Sequence, residues 1–441
     1  MTFVDATIVA SRRKIDRPHG ALSTSSSTLS MVSSPGTMIL PPSVPIPPNP
    51  QEIYIMFARS HLAKDGPDDL SLRALQSMDI ARLGANSMSE CQTAHLRAVL
   101  SFATIFFGTK HRQTEITRQG FLSHGVTLQQ LNRALLDPKC HEFDEVIVSV
   151  ITLAIQETLV SSGPDHFLNH MSGLEKLIAL RDPRLHCSPN TISLYRCLRH
   201  MLLFAALGTG RSTILAKPEW KTMLRQHCEN EEQLQEQLLY DILADCSVLA
   251  SERDKLFTRR TARRENASDE IQIIRTNTEH LCEQLWDWKI NWGANPANAY
   301  MEIPTVSNTH IESTGIDAPS IAPTALVFAN ITSALTLMLY NIALMHLLQI
   351  LVSIHSSLPQ TTPRDHLVAA AHSAVLDICR CMPNATNENF RRELHASPVA
   401  HCALQTARTM LQGDDSVNAK WLMSMLDRKS ATSMTGRIDF T

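Results

Sequence analysis

The chain has 441 residues, of which 44% are hydrophobic and 19% are charged, so it can bury a large core as one big domain or two tightly packed ones. Its formal net charge is -3, which excludes a body that binds nucleic acid through its overall charge. Ten cysteines are scattered along the chain and no secretory signal opens it, which predicts reduced thiols in the cytosol or nucleus.

Residues 1–50 are predicted to form a disordered tail. Four basic residues lie close together near its start, and a solvated tail is a more economical interpretation of them than a nuclear import signal: Arg12, Arg13, Lys14 and Arg17. From Ser23 to Pro50 serine and proline dominate, and such a composition cannot form a core.

Residues 51–430 are predicted to form an all-α body, followed by a short tail at 431–441. Apolar residues recur at helical spacing in thirteen segments: 52–63, 70–83, 91–107, 126–136, 144–160, 166–180, 191–207, 231–257, 268–290, 325–354, 365–381, 398–412 and 418–428. No run shows the alternation typical of strands. The stretch 293–323, rich in glycine, proline, serine and threonine, is a possible seam between an N-terminal and a C-terminal half.

The clearest pattern is a pair of helices between Asp144 and Arg184. The first carries apolar residues on almost every side, which predicts that it is buried all round. Residues 161–164 break the pattern, and Asp165 is placed to cap the second helix. A four-residue connection predicts an antiparallel helical hairpin, the unit of an all-helical domain.

This hairpin carries a family resemblance. Glu157 late in the first helix, Phe167 three residues before His170, Gly173, and Arg181-x-Pro183 together resemble the regulatory domain of fungal-specific transcription factors. Phe167 stands where that family tends to have tryptophan, and Asp182 where it tends to have glycine. The resemblance extends over about residues 51–428.

The resemblance implies a nuclear transcriptional regulator, tied in many members to a metabolic or biosynthetic pathway such as secondary metabolism. Members usually join this domain to a binuclear zinc cluster, which needs six cysteines in a short segment. The first cysteine here is Cys91, so no zinc cluster is expected. DNA contact is then expected through a protein partner or a missing N-terminal module, with a homodimer as a further expectation.

One segment allows a second interpretation. No Asp, Glu, Lys or Arg occurs from Ala318 to Pro363, and residues 325–354 are long enough to cross a bilayer. Polar residues interrupt the segment, and no basic cluster or aromatic belt flanks it closely. A central core helix is therefore favoured over a membrane anchor, and no membrane contact is expected.

Local clusters that could carry chemistry have simpler explanations. Cys379 and Cys381, with histidines nearby, are interpreted as packing thiols rather than a metal site. The basic run from Arg259 to Arg264 is surrounded by acidic residues, which favours a salt-bridged helix end. Trp286, Trp288 and Trp292 are interpreted as one or two core residues and one at a helix end.

No catalytic, cofactor-binding or metal-binding residue is predicted, and no cofactor is expected. Gly208-Thr-Gly210 lacks the lysine of a phosphate-binding loop and is better explained as a helix end. Phe167, His170 and Gly173 are expected to be structural. The alternative functions left open are an all-helical enzyme, a small-molecule carrier, and a membrane-anchored protein using residues 325–354.

Overall fold

The computed structural model describes residues 49–61, 88–160, 164–263, 268–304, 324–355, 364–382, 390, 394 and 397–437. Within these ranges the chain forms thirteen α-helices and one pair of short strands, so the predicted all-α class is confirmed. The predicted N-terminal tail and the predicted helix at 70–83 lie outside the described residues, as does the segment 305–323.

The elements follow one another in this order: α1 Pro50–His61, α2 Glu90–Lys110, α3 Thr114–Ala134, α4 Asp144–Val160, α5 Pro164–Ala179, α6 Pro189–Thr209, α7 Pro218–Gln226, α8 Glu231–Arg263, α9 Ser268–Ala294, β1 Tyr300–Pro304, β2 Thr324–Phe328, α10 Ile331–Ile354, α11 Arg364–Cys381, α12 Pro398–Leu411 and α13 Val417–Arg437. Helix α13 thus continues into the segment that was predicted as a C-terminal tail.

Helix α2 is apolar on two sides because it separates two clusters of buried residues. Leu96, Phe102 and Ala103 belong to a small cluster formed with α1, whereas Ala94 and Ala98 belong to the main core. A capping box starts the helix, since Ser89 Oγ accepts from the backbone N–H of Gln92 and the Gln92 side chain accepts from Ser89.

Helix α3 lies against α2 at the outside of the body. The two helices cross at Gly108 of α2 and Gly120 of α3. A Cβ atom at Gly108 would lie 2.7 Å from the backbone nitrogen of Thr117, and one at Gly120 would lie 2.5 Å from Cγ1 of Ile105. The missing side chains therefore allow this close approach.

The predicted hairpin is formed by α4 and α5, which pack against each other. Val146, Ile147 and Val150 of α4 are fully buried, and so are Leu174 and Ile178 of α5. The all-round burial expected for α4 is therefore confirmed, and the hairpin belongs to the main core.

Helix α10 is the long apolar segment, and it packs against α8, α9, α11 and α12. By length and composition it could cross a membrane, but 67% of its most apolar window is buried inside the protein. This burial supports the interpretation as a core helix. Asn330 caps its start by accepting from the backbone N–H of Ser333 at 2.7 Å.

Three element predictions were wrong. Residues 325–328, predicted as the start of the apolar helix, belong to β2, which pairs antiparallel with β1 from Tyr300↔Phe328 to Pro304↔Thr324. The expectation of no strands fails at this hairpin. Helix α3 begins at Thr114 rather than at 126, and α7 was missed.

The main hydrophobic core contains residues from Cys91 to Leu426, on both sides of the possible seam at 293–323. The parts of the chain before and after that stretch therefore share one core. Three clusters of polar side chains, described below, lie where helices of this body meet.

Candidate functional site

The hairpin residues that carried the resemblance lie at a polar junction of α3, α4 and α5. His124 of α3 and Gln156 and Glu157 of α4 are joined there, and His170 of α5 is buried beside them. Phe167 is half-buried against the main core. Gly173, one turn further along α5, is buried.

His124 is the centre of this junction. The Gln156 amide donates to its Nδ1 at 2.7 Å, which places the ring proton on Nε2, and Nε2 lies 3.7 Å from Oε1 of Glu157. Burial lowers the pKa of His124 and raises the pKa of Glu157, while His166 acts in the opposite direction on Glu157. Burial also lowers the pKa of His170 to about 4.

The hydrogen bond from the Gln156 amide to His124 joins α4 to α3, and Glu157 lies 3.7 Å from the same ring. In the described part of the chain no group of three or more His, Cys, Asp or Glu side chains is placed to hold a metal ion. The structural role expected for His170 stays a prediction.

A second polar cluster, the Arg181 clasp, closes the other end of the hairpin. The Arg181 side chain is fully buried, and its Nη1 donates to Oδ1 of Asp144 at 2.6 Å and to the hydroxyl of Tyr195 at 3.0 Å. Its Nε donates to the carbonyl of His141. Oδ2 of Asp144 accepts from the Thr191 hydroxyl at 2.8 Å. The clasp thus ties the start of α4, the end of α5 and α6 together.

A third cluster, which sequence reasoning missed, joins α6 to α8. The Arg199 guanidinium lies 3.9 Å above the ring of Tyr240, and it donates to Glu236 at 2.7 Å and to Gln237 at 2.8 Å. Gln237 in turn donates to Asp241 at 2.8 Å. The contacts lie within about one turn of α8, and Glu236 neutralises the charge of Arg199 inside the protein.

Two further ion pairs extend this cluster to α7. Arg225 contacts Asp241 at 2.5 Å, and Lys221 contacts Asp245 at 2.5 Å. Acidic residues recur on α8, but helical spacing alone does not show which basic helix will lie opposite. That missing information is why the cluster could not be predicted.

Two tryptophans lie in the core, as predicted, but the exposed one lies inside α9 rather than at a helix end. Trp288 and Trp292 are buried and stack with 6.0 Å between their ring centroids, whereas Trp286 is 62% exposed. Lys289 lies between them in sequence, and its Nζ is 4.1 Å from the Trp292 ring. Burial lowers the pKa of Lys289 to about 8. Aromatic rings stabilise this buried cation in place of a hydrogen bond.

The remaining sequence candidates are buried or ion-paired within the protein. Cys379 and Cys381 are both buried, and burial raises the pKa of the Cys381 thiol, which keeps it protonated. Arg259 forms an exposed ion pair with Glu270 at 2.9 Å, as expected for a salt-bridged helix end. The side chains at 260–264 lie outside the described residues.

These observations define the class of protein: a helical body whose buried charged groups form contacts between its own helices. The chain belongs to the fungal specific transcription factor domain family, whose model matches residues 69–411. The resemblance drawn from the hairpin is therefore confirmed.

One curated relative is an uncharacterized protein of Emericella nidulans, which is 30% identical over 166 residues. The match covers 37% of this chain and 35% of that protein. The chain thus aligns with about a third of the length of this relative. No solved structure matches.

Proposed function

We propose that this protein is a nuclear transcriptional regulator that acts through protein contacts and reaches its promoters through a DNA-binding partner. The observation that carries the proposal is the family match over residues 69–411. The Arg181 clasp and the Arg199 cluster agree with it, because their charges stabilise the body and are not presented to a ligand.

The charge of the chain supports the proposal of a DNA-binding partner. Non-specific DNA binding requires a basic surface, and the net charge here is -3. Arg259, in the densest basic run, is neutralised by Glu270 across 2.9 Å. We therefore expect the purified chain to show no sequence-selective DNA binding at physiological salt.

Chromatin immunoprecipitation of a tagged copy expressed from its own locus tests the regulator. The expected result is enrichment at a defined set of promoters, which is lost when the DNA-binding partner is removed. Absence of enrichment in cells that clearly express the protein would refute the proposed function. Fluorescence anisotropy with DNA from the enriched promoters then tests the partner: tight, selective binding by the chain alone contradicts it.

The regulated genes are proposed to belong to one metabolic or biosynthetic pathway. Comparison of transcripts between a deletion strain and its parent tests this finer statement. A change confined to one group of functionally related genes is expected. A diffuse change across unrelated genes would contradict pathway specificity without affecting the regulator proposal.

A further inference from the structure

The solvent-facing side of α3 carries a regular row of residues, which we call the α3 seam. All six residues are exposed, and they are spaced alternately by four and three positions: Glu115, Gln119, Leu122, Val126, Gln129 and Arg133. Alternating spacing of four and three is the pattern by which one helix packs along another. The row spans about 27 Å of the helix.

The centre of the α3 seam is apolar. Leu122 is 60% exposed and Val126 is 45% exposed, and Phe121 beside them is 41% exposed. Gly125 flanks the same region, and a Cβ atom there would have no neighbour within 4 Å. A second helix therefore has both apolar contacts and room to approach.

The α3 seam is symmetric about His124. Leu122 and Val126 lie two positions on either side of it, Gln119 and Gln129 lie five, and Glu115 and Arg133 lie nine. His124 itself points the other way, into the body, where it accepts from Gln156. A twofold axis that crosses the α3 seam at right angles, at the level of His124, would exchange the two members of each pair.

We infer that the α3 seam is a dimerisation surface whose partner is a second copy of this chain. Two copies of α3 packed antiparallel place Leu122 against Val126 of the partner subunit, with glutamines facing glutamines on either side. At each end Glu115 meets Arg133 of the partner subunit. The parallel arrangement is disfavoured, because Glu115 would meet another glutamate and Arg133 another arginine.

The charges at the ends set the orientation, and the apolar centre provides most of the affinity. Glu115 already pairs with Arg118 at 2.7 Å, and both side chains are exposed. A carboxylate with two oxygens can accept from a second arginine as well. This inference depends only on the surface of α3, so it stands or falls independently of the proposed function.

Sedimentation velocity of the full chain over a concentration series tests the inference. The wild type should dimerise, and Leu122→Glu should raise the dimer dissociation constant by about tenfold or more, since it puts a charge into the apolar centre. Ile273→Glu is the matched control. Ile273 is equally exposed on α9, away from the seam, and its replacement should leave the constant unchanged.

Charge reversal distinguishes this pairing from other dimers. Glu115→Arg and Arg133→Glu should each raise the dissociation constant by roughly fivefold, and the double variant should restore it. Circular dichroism of each variant checks that the fold is kept. A wild type that stays monomeric at its solubility limit would refute the inference. The inference would also be refuted if Leu122→Glu left the dissociation constant unchanged, or if the double reversal did not restore it.

Discussion

Arg181→Met offers the most direct test of what holds the hairpin together. The replacement keeps the long apolar stem of Arg181 but removes every contact of the guanidinium. These contacts are a charge-assisted hydrogen bond to Asp144 at 2.6 Å, one to the Tyr195 hydroxyl at 3.0 Å, and one to the His141 carbonyl.

The loss in free energy of unfolding depends on how exposed each hydrogen-bond partner of Arg181 is and on which other hydrogen bonds it keeps. Tyr195 is buried, so its hydroxyl loses its donor without access to water, at a cost of about 1–3 kcal/mol. Asp144 is 36% exposed and keeps the hydrogen bond from Thr191, so water compensates part of the loss of its ion pair with Arg181. Removing a buried charge also returns part of the desolvation cost. The free energy of unfolding should therefore fall by about 3 kcal/mol.

Urea denaturation followed by circular dichroism measures this change. Arg118→Met is the matched control, because its ion pair with Glu115 is exposed and should contribute little to the free energy of unfolding. If Arg181→Met and Arg118→Met destabilise the protein equally, the clasp does not stabilise the hairpin. A double-mutant cycle with Asp144→Asn then isolates the energy of the ion pair itself.

Gly108→Ala should destabilise the protein by about 1–3 kcal/mol, because its Cβ would lie 2.7 Å from the backbone of Thr117. Gly208→Ala, in an open position on α6, should instead stabilise it by about 0.5–1 kcal/mol, and equal effects in thermal melts would contradict this packing. Acid should also destabilise the protein, because burial lowers the pKa of four histidines from 6.5 to about 4: His95, His170, His200 and His346. Between these pH values the unfolded chain binds protons that the folded chain does not, so the free energy of unfolding should fall as pH drops from 6.5 to 4, by up to about 1.4 kcal/mol per pH unit for each histidine. Carboxyls whose pKa is raised by burial offset part of this loss, and urea titrations that give the same free energy at pH 7 and pH 5 would contradict the argument.

Periodicity predicted most long helices, including α4, which is buried on almost every side, but it failed at the start of α10 and in the first half of α3. Residues 325–328 are as apolar as α10, so the pattern could not separate strand from helix. The helix begins only where Asn330 caps it. The first half of α3 was missed because it is polar and contains glycine, although Gly120 is buried against Ile105.

The candidate site shows the same division between local and distant information. Arg181 and Pro183 were recognisable as a motif, and both are buried. However, the partner Asp144 lies 37 positions away, and nothing in the local sequence identifies it. The pairing of Arg199 with α8 depends on which helices become neighbours, and that choice is made by the whole core.

The ladder between β1 and β2 has a practical consequence for experiments on living cells. It holds Pro304 opposite Thr324, so the two ends of the intervening nineteen-residue segment are fixed side by side. Doubling the length of a connection whose ends are already together costs only about 0.6 kcal/mol. An epitope or a fluorescent reporter inserted there should leave the core intact. Such an insertion allows the protein to be followed with both of its ends unaltered.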